Sequence, residues 1–155
     1  MTTLSQSDAQ FLADHSRHDP DFFWQSILGC TSVYNKQLEM ARAVRDHNRV
    51  AVVGANGTGK DWQSARVMLW WMATRSPAIC VVLGPTHRQV SDIVWKEARS
   101  AYLTARMPLG GQMYRTARWE YDDRRYAVGF STDNEYNIQG FHSPNLLVIL
   151  TEAHN

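Results

Sequence analysis

The residues with the clearest chemical potential form a glycine-rich run that ends in a lysine. The run reads Gly54-Ala55-Asn56-Gly57-Thr58-Gly59-Lys60 and fits the spacing G-x-x-x-x-G-K. Glycines let the backbone turn tightly, so that several N–H groups converge on one point. A helix that begins here adds the partial positive charge of its N-terminus. We therefore predict a phosphate-binding loop over 54–60, with Lys60 reaching the β- and γ-phosphates of a nucleotide. The alternative is a glycine-rich turn that precedes a lysine by chance.

A second candidate lies at the end of an apolar run near the C-terminus. Leu146–Leu150 is followed directly by Thr151 and Glu152. Enzymes with a phosphate-binding loop place an acidic residue near Mg²⁺ at the end of a neighbouring apolar strand. Glu152 is the candidate for polarising an attacking water. The spacing therefore predicts that residues 151 and 152 face the phosphate loop.

Two positions depart from the usual pattern, and they do so in opposite directions. Asp61 stands where a serine or threonine hydroxyl ordinarily binds Mg²⁺, and Thr151 stands where an aspartate is ordinarily found. The pair still offers one carboxylate and one hydroxyl. We therefore predict that Asp61 and Thr151 act as an exchanged pair around one Mg²⁺. The alternative is that both positions have drifted and the site is inactive.

Positioning these groups requires strands that alternate with helices. The β-branched run Val50–Val53 stops at a glycine and predicts a buried strand, with a helix following over 59–75. Further buried strands are predicted over 79–83 and 146–150. This alternation predicts an α/β fold with a mostly parallel sheet, covered on both faces and with these three strands at its centre. Other helices are predicted over 7–28, 35–47 and 87–105, and a pair of strands over 113–131.

The composition is that of a single ordinary globular domain. The chain has 155 residues, of which 44% are hydrophobic and 20% are charged. Its net charge of +1 argues neither for a nucleic-acid partner nor for a membrane partner. Cys30 and Cys80 are too few for a disulfide framework or a zinc site. The longest apolar run, 67–73, is too short to span a bilayer, and the N-terminus does not read as a signal peptide. These features favour a cytosolic protein.

Four blocks of sequence, in order, resemble the ATPase domain of tailed-phage terminase large subunits. The blocks are Tyr34 with Gln37; Arg49 to Lys60 with Trp62, Trp70 and Trp71; Gly84 to Val90 with Trp95-Lys96-Glu97; and Gly129 to Asp133 with Gly140-Phe141-His142. The likeness covers roughly residues 20 to 153. The order and spacing of the four blocks are much more specific than the phosphate loop alone.

The resemblance implies a RecA-like P-loop NTPase fold with three α/β/α layers, ATP and Mg²⁺ as ligands, and duplex DNA as the translocated substrate. It further implies a pentameric ring, the portal and the small terminase subunit as partners, and a phage- or prophage-encoded protein in the host cytoplasm. Tyr34 and Gln37 would read the adenine; the alternative for Gln37 is a glutamine on a helix surface. Residues 1–48 would be a helical lead-in and 49–155 the P-loop core. The chain would end after Walker B, with the sheet incomplete at its C-terminal end and the nuclease domain absent.

Departures from the family pattern lower the expected activity. Asp61 and Thr151 alter both Walker motifs, and Asn56 occupies the place where many terminases carry an arginine that stabilises the transferring phosphoryl group. We therefore expect weak or absent ATP hydrolysis. A non-catalytic nucleotide-binding or assembly module is the main alternative. A helicase-like ATPase is the third, disfavoured by the 140–142 block and the tryptophan-rich helix.

Several other residues have an ordinary structural interpretation that we favour. Arg88, at a helix start, is expected to be solvated, and His142 is expected to belong to a turn. The tryptophans at 62, 70, 71 and 95 are expected to pack in the core.

Overall fold

The computed structural model describes residues 5–55, 57–132 and 140–152, which form an α/β fold. The helices are α1 (Gln6–His18), α2 (Pro20–Phe22, running into a π-helical turn Phe23–Ile27), α3 (Asn35–Asp46), α4 (Lys60–Thr74) and α5 (Trp95–Thr104, preceded by a π-helical segment Gln89–Val94). The strands are β1 (Ala78–Gly84), β2 (Gln112–Met113), β3 (Arg118–Asp122), β4 (Arg125–Ser131) and β5 (Leu146–Leu150).

The five strands form one mixed sheet in the order β2-β3-β4-β1-β5. β1 is parallel to both of its neighbours, so that Val81 lies between Val128 and Val148. β2, β3 and β4 are joined by antiparallel pairing. All seven residues of β1 are buried, as expected for a central parallel strand with an unbroken apolar sequence. The parallel part of the sheet therefore places the ends of β1, β4 and β5 at one edge.

Most of the predicted elements are present. The strands predicted over 79–83 and 146–150 are β1 and β5, and the pair predicted over 113–131 is the β3–β4 hairpin with the short β2 beside it. The prediction that 146–150 is a buried central strand is wrong, because β5 is the last strand of the described sheet and none of its residues is fully buried. The helices predicted over 35–47 and 59–75 are α3 and α4. Asp19 ends α1 and caps α2 by accepting from the backbone N–H of Phe22, which divides the predicted region 7–28.

The tryptophans belong to the core, as predicted. Trp70 and Trp95 are fully buried, and Trp62 and Trp71 pack partly buried against the same cluster. This cluster joins the helices to one face of the sheet. Val81 and Val128 belong to a smaller cluster on the other face, and within the described residues that cluster contains no helical side chain. The second helical layer implied by a three-layer fold is therefore not found in the described part of the chain.

The prediction of a central strand over Val50–Val53 is wrong. Among the described residues this segment pairs with no strand, and Val50, Val52 and Val53 are 38%, 46% and 100% exposed. A free edge was available, because β5 is the last strand of the sheet and pairs on one side only within the described residues. Val50–Val53 therefore reaches the loop outside the sheet, and the described contacts give no physical reason for its lack of pairing.

Candidate functional site

The 54–60 segment forms a tight loop that leads directly into α4. Gly57 and Gly59 have φ angles of 77° and 80°, in the left-handed region that glycine adopts at little cost. Gly59 is the N-cap of α4, which begins at Lys60. The Thr58 hydroxyl donates to the Ala55 carbonyl at 2.8 Å, closing the turn. The predicted loop–helix junction is present; Asn56, which the prediction also included, lies outside the described residues.

Lys60 folds back over this loop. Its Nζ donates to the carbonyl oxygen of Gly54 at 2.8 Å, six residues earlier in the chain. The ammonium group has three protons to donate. A phosphate at the N-terminus of α4 would therefore meet a full positive charge together with the unsatisfied N–H groups of the first helical turn.

Gln37 packs against the loop, which corrects the interpretation of a glutamine on a helix surface. Its side chain is buried, and its Oε1 accepts from the backbone N–H of Tyr34 at 3.0 Å. Its Nε2 lies 3.2 Å from the point where a Cβ on Gly59 would stand. The start of α3 and the end of the loop are therefore in contact through this amide. Tyr34 itself is 72% exposed.

Asp61 meets two other polar residues at the edge of the sheet. Gln89 Nε2 donates to Asp61 Oδ1 at 3.4 Å. Burial, and then the nearby charge of Glu152, raise the pKa of Asp61 above its ordinary value, while Gln89 and Lys60 act in the opposite direction. Asp61 therefore lies close enough to Glu152, two residues beyond β5, for the two carboxylates to repel each other.

Glu152 stands in an unusual backbone conformation. Its φ is 52°, and among the described residues it is the one non-glycine with a positive φ. Such conformations cluster at functional sites because the surrounding structure must enforce them. Glu152 comes after Thr151, which follows the last residue of β5. The strained residue therefore lies just beyond the end of β5.

Thr151 is held against β1 by two hydrogen bonds. Its hydroxyl donates to the Leu83 carbonyl at 3.2 Å, and its backbone N–H donates to the same oxygen at 2.8 Å. The side chain is buried and lies close to Gly84. Thr151 therefore continues the pairing of β5 with β1 by one residue, and its one hydroxyl proton is already used.

The donors that could hold a divalent cation are few. In the described ranges, no group of three or more His, Cys, Asp or Glu side chains is arranged for a metal ion. Asp61 and Glu152 are two carboxylates, which suits Mg²⁺ because that ion commonly takes one or two protein carboxylates and completes its shell with waters and substrate phosphates. The residues present therefore fit an ion that arrives with a nucleotide.

Gln89 was not singled out as a site residue by the sequence. The available signal was its position after the Gly84-Pro85-Thr86 turn, where a segment that follows a buried strand returns to the same sheet edge. Arg88 is exposed, in agreement with the prediction that it is solvated, and His142 is exposed as well. Within the described ranges, no helix is long and apolar enough to cross a membrane.

No protein-family model matches this chain, and no curated protein matches it either.

Proposed function

We propose that this chain binds Mg²⁺·ATP at the 54–60 loop and belongs to the ATPase part of a terminase-type DNA-packaging motor. The observation that carries the proposal is a juxtaposition. A loop with two left-handed glycines and a lysine opens α4, and Asp61, Gln89 and Glu152 meet beside that same helix end. This is the combination that a phosphate chain and its metal ion require.

Each residue has a distinct role in this proposal. Lys60 releases the Gly54 carbonyl and places its charge on the β- and γ-phosphates. Asp61 and Glu152 hold the metal ion or its waters, and Gln89 orients the Asp61 carboxylate. Mg²⁺ supplies charge neutralisation of the phosphates. Gln37 supports the loop from behind through Gly59.

The wider assignment rests on the sequence resemblance. Duplex DNA, the portal, the small terminase subunit and a ring of subunits are the partners that the resemblance implies. The parallel pairing of β1 with β4 and β5 agrees with a nucleotide-binding α/β core. The segment 50–53 does not conform, because in a P-loop protein the strand before the loop belongs to the sheet.

A non-catalytic nucleotide-binding or assembly module is the second candidate, and one contact favours it. The hydroxyl of Thr151 donates to the Leu83 carbonyl, which holds this side chain against β1, and as a threonine it supplies no charge, so Glu152 is the one charged group at this strand end. Such a site would bind nucleotide without turning it over.

Calorimetric titration with Mg²⁺·ATP tests the binding proposal. Lys60→Ala should weaken ATP binding at least tenfold, or about 1.4 kcal/mol, because it removes the full positive charge that the loop offers. Lys36→Ala is the matched control, since Lys36 is exposed and pairs with Glu39 on α3. Equal affinity for ATP in the wild type and Lys60→Ala would overturn the phosphate-loop assignment.

Measuring phosphate release with and without duplex DNA separates the two candidates. A motor domain should hydrolyse ATP in a DNA-dependent way when the chain is assembled with its partners, whereas a binding module should bind ATP with no release under any of these conditions. Glu152→Gln should abolish any hydrolysis and preserve ATP binding.

A further inference from the structure

Two tryptophans and one arginine form a corner at the C-terminal end of α4. The centroids of the Trp70 and Trp71 rings are 6.1 Å apart, and the ring planes meet at 75°. The guanidinium carbon of Arg75 lies 4.3 Å from the centroid of Trp70 and 3.9 Å from that of Trp71. The ring N–H groups of the two tryptophans donate to the carbonyls of Ser16 and Asn145, at 2.7 and 3.1 Å, which fixes both rings. Arg75 is therefore held in a defined position on a rigid aromatic platform.

Arg75 carries a buried positive charge that has no carboxylate partner. The residue is 7% exposed, and it takes part in none of the ion pairs found between described residues. In the described part of the chain, its guanidinium makes one hydrogen bond, from Nη1 to the hydroxyl oxygen of Thr74 at 2.9 Å. Burial, and then the nearby charge of Arg17, lower the pKa of Arg75 to about 10. Buried charges are ordinarily paired, so an anion from outside the chain would supply the partner that is missing here.

The C-terminal carbonyls of α4 are bound by a different arginine. Arg125 donates to the Met72 carbonyl from Nε at 3.0 Å and from Nη2 at 2.7 Å, and its Nη2 also donates to the Ala73 carbonyl at 3.0 Å. The last carbonyls of a helix carry its partial negative charge. Arg125 therefore occupies the acceptors that would otherwise be the nearest partners for Arg75.

Two nitrogens of Arg75 remain available from solvent. Nε and Nη2 make no hydrogen bond to the described residues. Fully enclosed side-chain nitrogens without a partner occur in the described ranges at Trp24, Arg66 and Trp95, but not at Arg75. Nε and Nη2 of Arg75 therefore keep accessible surface, although most of the side chain is covered. These two donors form one edge of the guanidinium, and that edge matches two oxygens of an oxyanion.

A second arginine without an ion pair stands beside Arg75. Arg17 is exposed, lies in the last turn of α1, and belongs to none of the ion pairs between described residues. The residue before it, Ser16, accepts the hydrogen bond from the Trp70 ring on which Arg75 stacks. Within the described ranges, Arg17 is the one charged group that shifts the pKa of Arg75, and no acidic side chain does so. Two positive charges therefore meet at this surface without a negative charge to balance them.

We propose that Arg75 and Arg17 form a binding site for the phosphate group of a small molecule. The Nε–Nη2 edge of Arg75 donates to two oxygens of the phosphate group, and Arg17 donates to a third from the surface. A phosphate monoester carries about two negative charges above neutral pH, which match the two guanidinium groups, whereas a carboxylate or a phosphodiester carries one. Lys60 and Arg75 lie at opposite ends of the 15-residue helix α4, about 22 Å apart along its axis. The site is therefore separate from the phosphate loop and does not depend on the proposed ATP binding.

Proton–nitrogen NMR of the isotope-labelled chain follows this site directly, through the Nε–H signal of Arg75 and the indole N–H signals of Trp70 and Trp71. Inorganic phosphate is titrated at constant pH, slightly above neutral, and at constant ionic strength. The three signals should shift together and saturate with one dissociation constant, on the order of 1 mM. Dimethyl phosphate and acetate, which carry a single charge, should bind about three- to fivefold more weakly. No saturable shift, or equal affinity for phosphate and dimethyl phosphate, overturns the proposal.

Variants assign the binding to the two arginines. Arg75→Met keeps an apolar stem on the tryptophans and should abolish the phosphate-dependent shifts of both indole signals; persistence of those shifts refutes the assignment. If Arg75→Met fails to fold by circular dichroism, the exposed Arg17→Gln decides, with an expected three- to fivefold loss of phosphate affinity. Arg115→Gln is the matched control, because Arg115 is also exposed and outside the ion pairs of the described residues, and its affinity should equal that of the wild type. Lys60→Ala should likewise leave the shifts unchanged, and their loss in that variant would place the phosphate at the phosphate loop and overturn the proposal.

Discussion

Replacing Gly59 with alanine tests the loop conformation and its contact with Gln37 together. Gly59 has a φ of 80°, and an added Cβ would stand 3.2 Å from Gln37 Nε2. A non-glycine residue in the left-handed region costs about 1–2 kcal/mol. Displacing the Gln37 amide, which is buried and bonded to Tyr34, should add about 1 kcal/mol more. We therefore expect Gly59→Ala to lower the free energy of unfolding by about 2–3 kcal/mol.

Gly57 provides the matched control within the same loop. Its φ is 77°, almost the same as that of Gly59, but nothing lies within 4 Å of its Cβ position. Gly57→Ala should therefore show the conformational cost alone, about 1–2 kcal/mol or less where the exposed loop relaxes. The difference of about 1 kcal/mol between the two variants reports the contact with Gln37.

Urea denaturation followed by circular dichroism measures the free energy of unfolding of both variants. In thermal melts, each kcal/mol of destabilisation should lower the melting temperature by about 2–4 °C for a chain of this size. A double-mutant cycle with Gln37→Ala isolates the contact, because Gly59→Ala should cost about 1 kcal/mol less once the amide is gone. Equal destabilisation by Gly57→Ala and Gly59→Ala, with no coupling to Gln37→Ala, would refute the packing of Gln37 against the loop.

Three further predictions concern the site chemistry. In a double-mutant cycle on Mg²⁺·ATP affinity, Asp61→Thr and Thr151→Asp should each weaken binding while the double variant recovers; additive effects would mean that the two departures are unrelated. In the folded protein the pKa of Asp61 is raised above its ordinary value of 3.8. The folded state therefore binds the Asp61 proton more tightly than the unfolded state does, and the resulting stabilisation is fully present below pH 3.8. That stabilisation is lost as the pH rises through the pKa of Asp61 in the folded state. Asp61→Asn should therefore raise the melting temperature at neutral pH but not below pH 3.8, and an equal shift at both pH values would contradict the burial of this carboxylate. Finally, the 155-residue chain alone should release phosphate from ATP slowly or not at all; brisk, DNA-stimulated release by a real-time phosphate assay would show that Asp61, Thr151 and Asn56 do not impair turnover.

Local sequence patterns were sufficient for most elements and for the glycine turn that leads into α4. The apolar run at 79–83 is β1, because a strand buried on both faces needs apolar residues at every position. The apolar run at 146–150 is also a strand, β5, but it lies at the end of the sheet and is only partly buried. Gly59 is the N-cap of α4 and Lys60 is its first residue. This boundary could be predicted because the left-handed conformation of a glycine before a helix depends on local backbone sterics. The expected nearness of Asp61 to the end of β5 was argued from a strand over 50–53 that the structure does not contain, so the electrostatic influence of Glu152 on Asp61 depends on the packing of α4 instead.

Tertiary structure alone decided the pairing of strands and the partners of the polar side chains. Val50–Val53 has the composition of a buried strand, yet among the described residues it pairs with no strand, although the outer edge of β5 is free there. A surface position was the sequence alternative for Gln37, yet Gln37 is buried and packs against the loop. The surroundings of Arg66 are likewise invisible in sequence, since its ion pair joins α4 to Glu97, 31 residues later in the chain. Periodicity reports which residues prefer burial, whereas the choice of neighbour depends on contacts between segments that are distant along the chain.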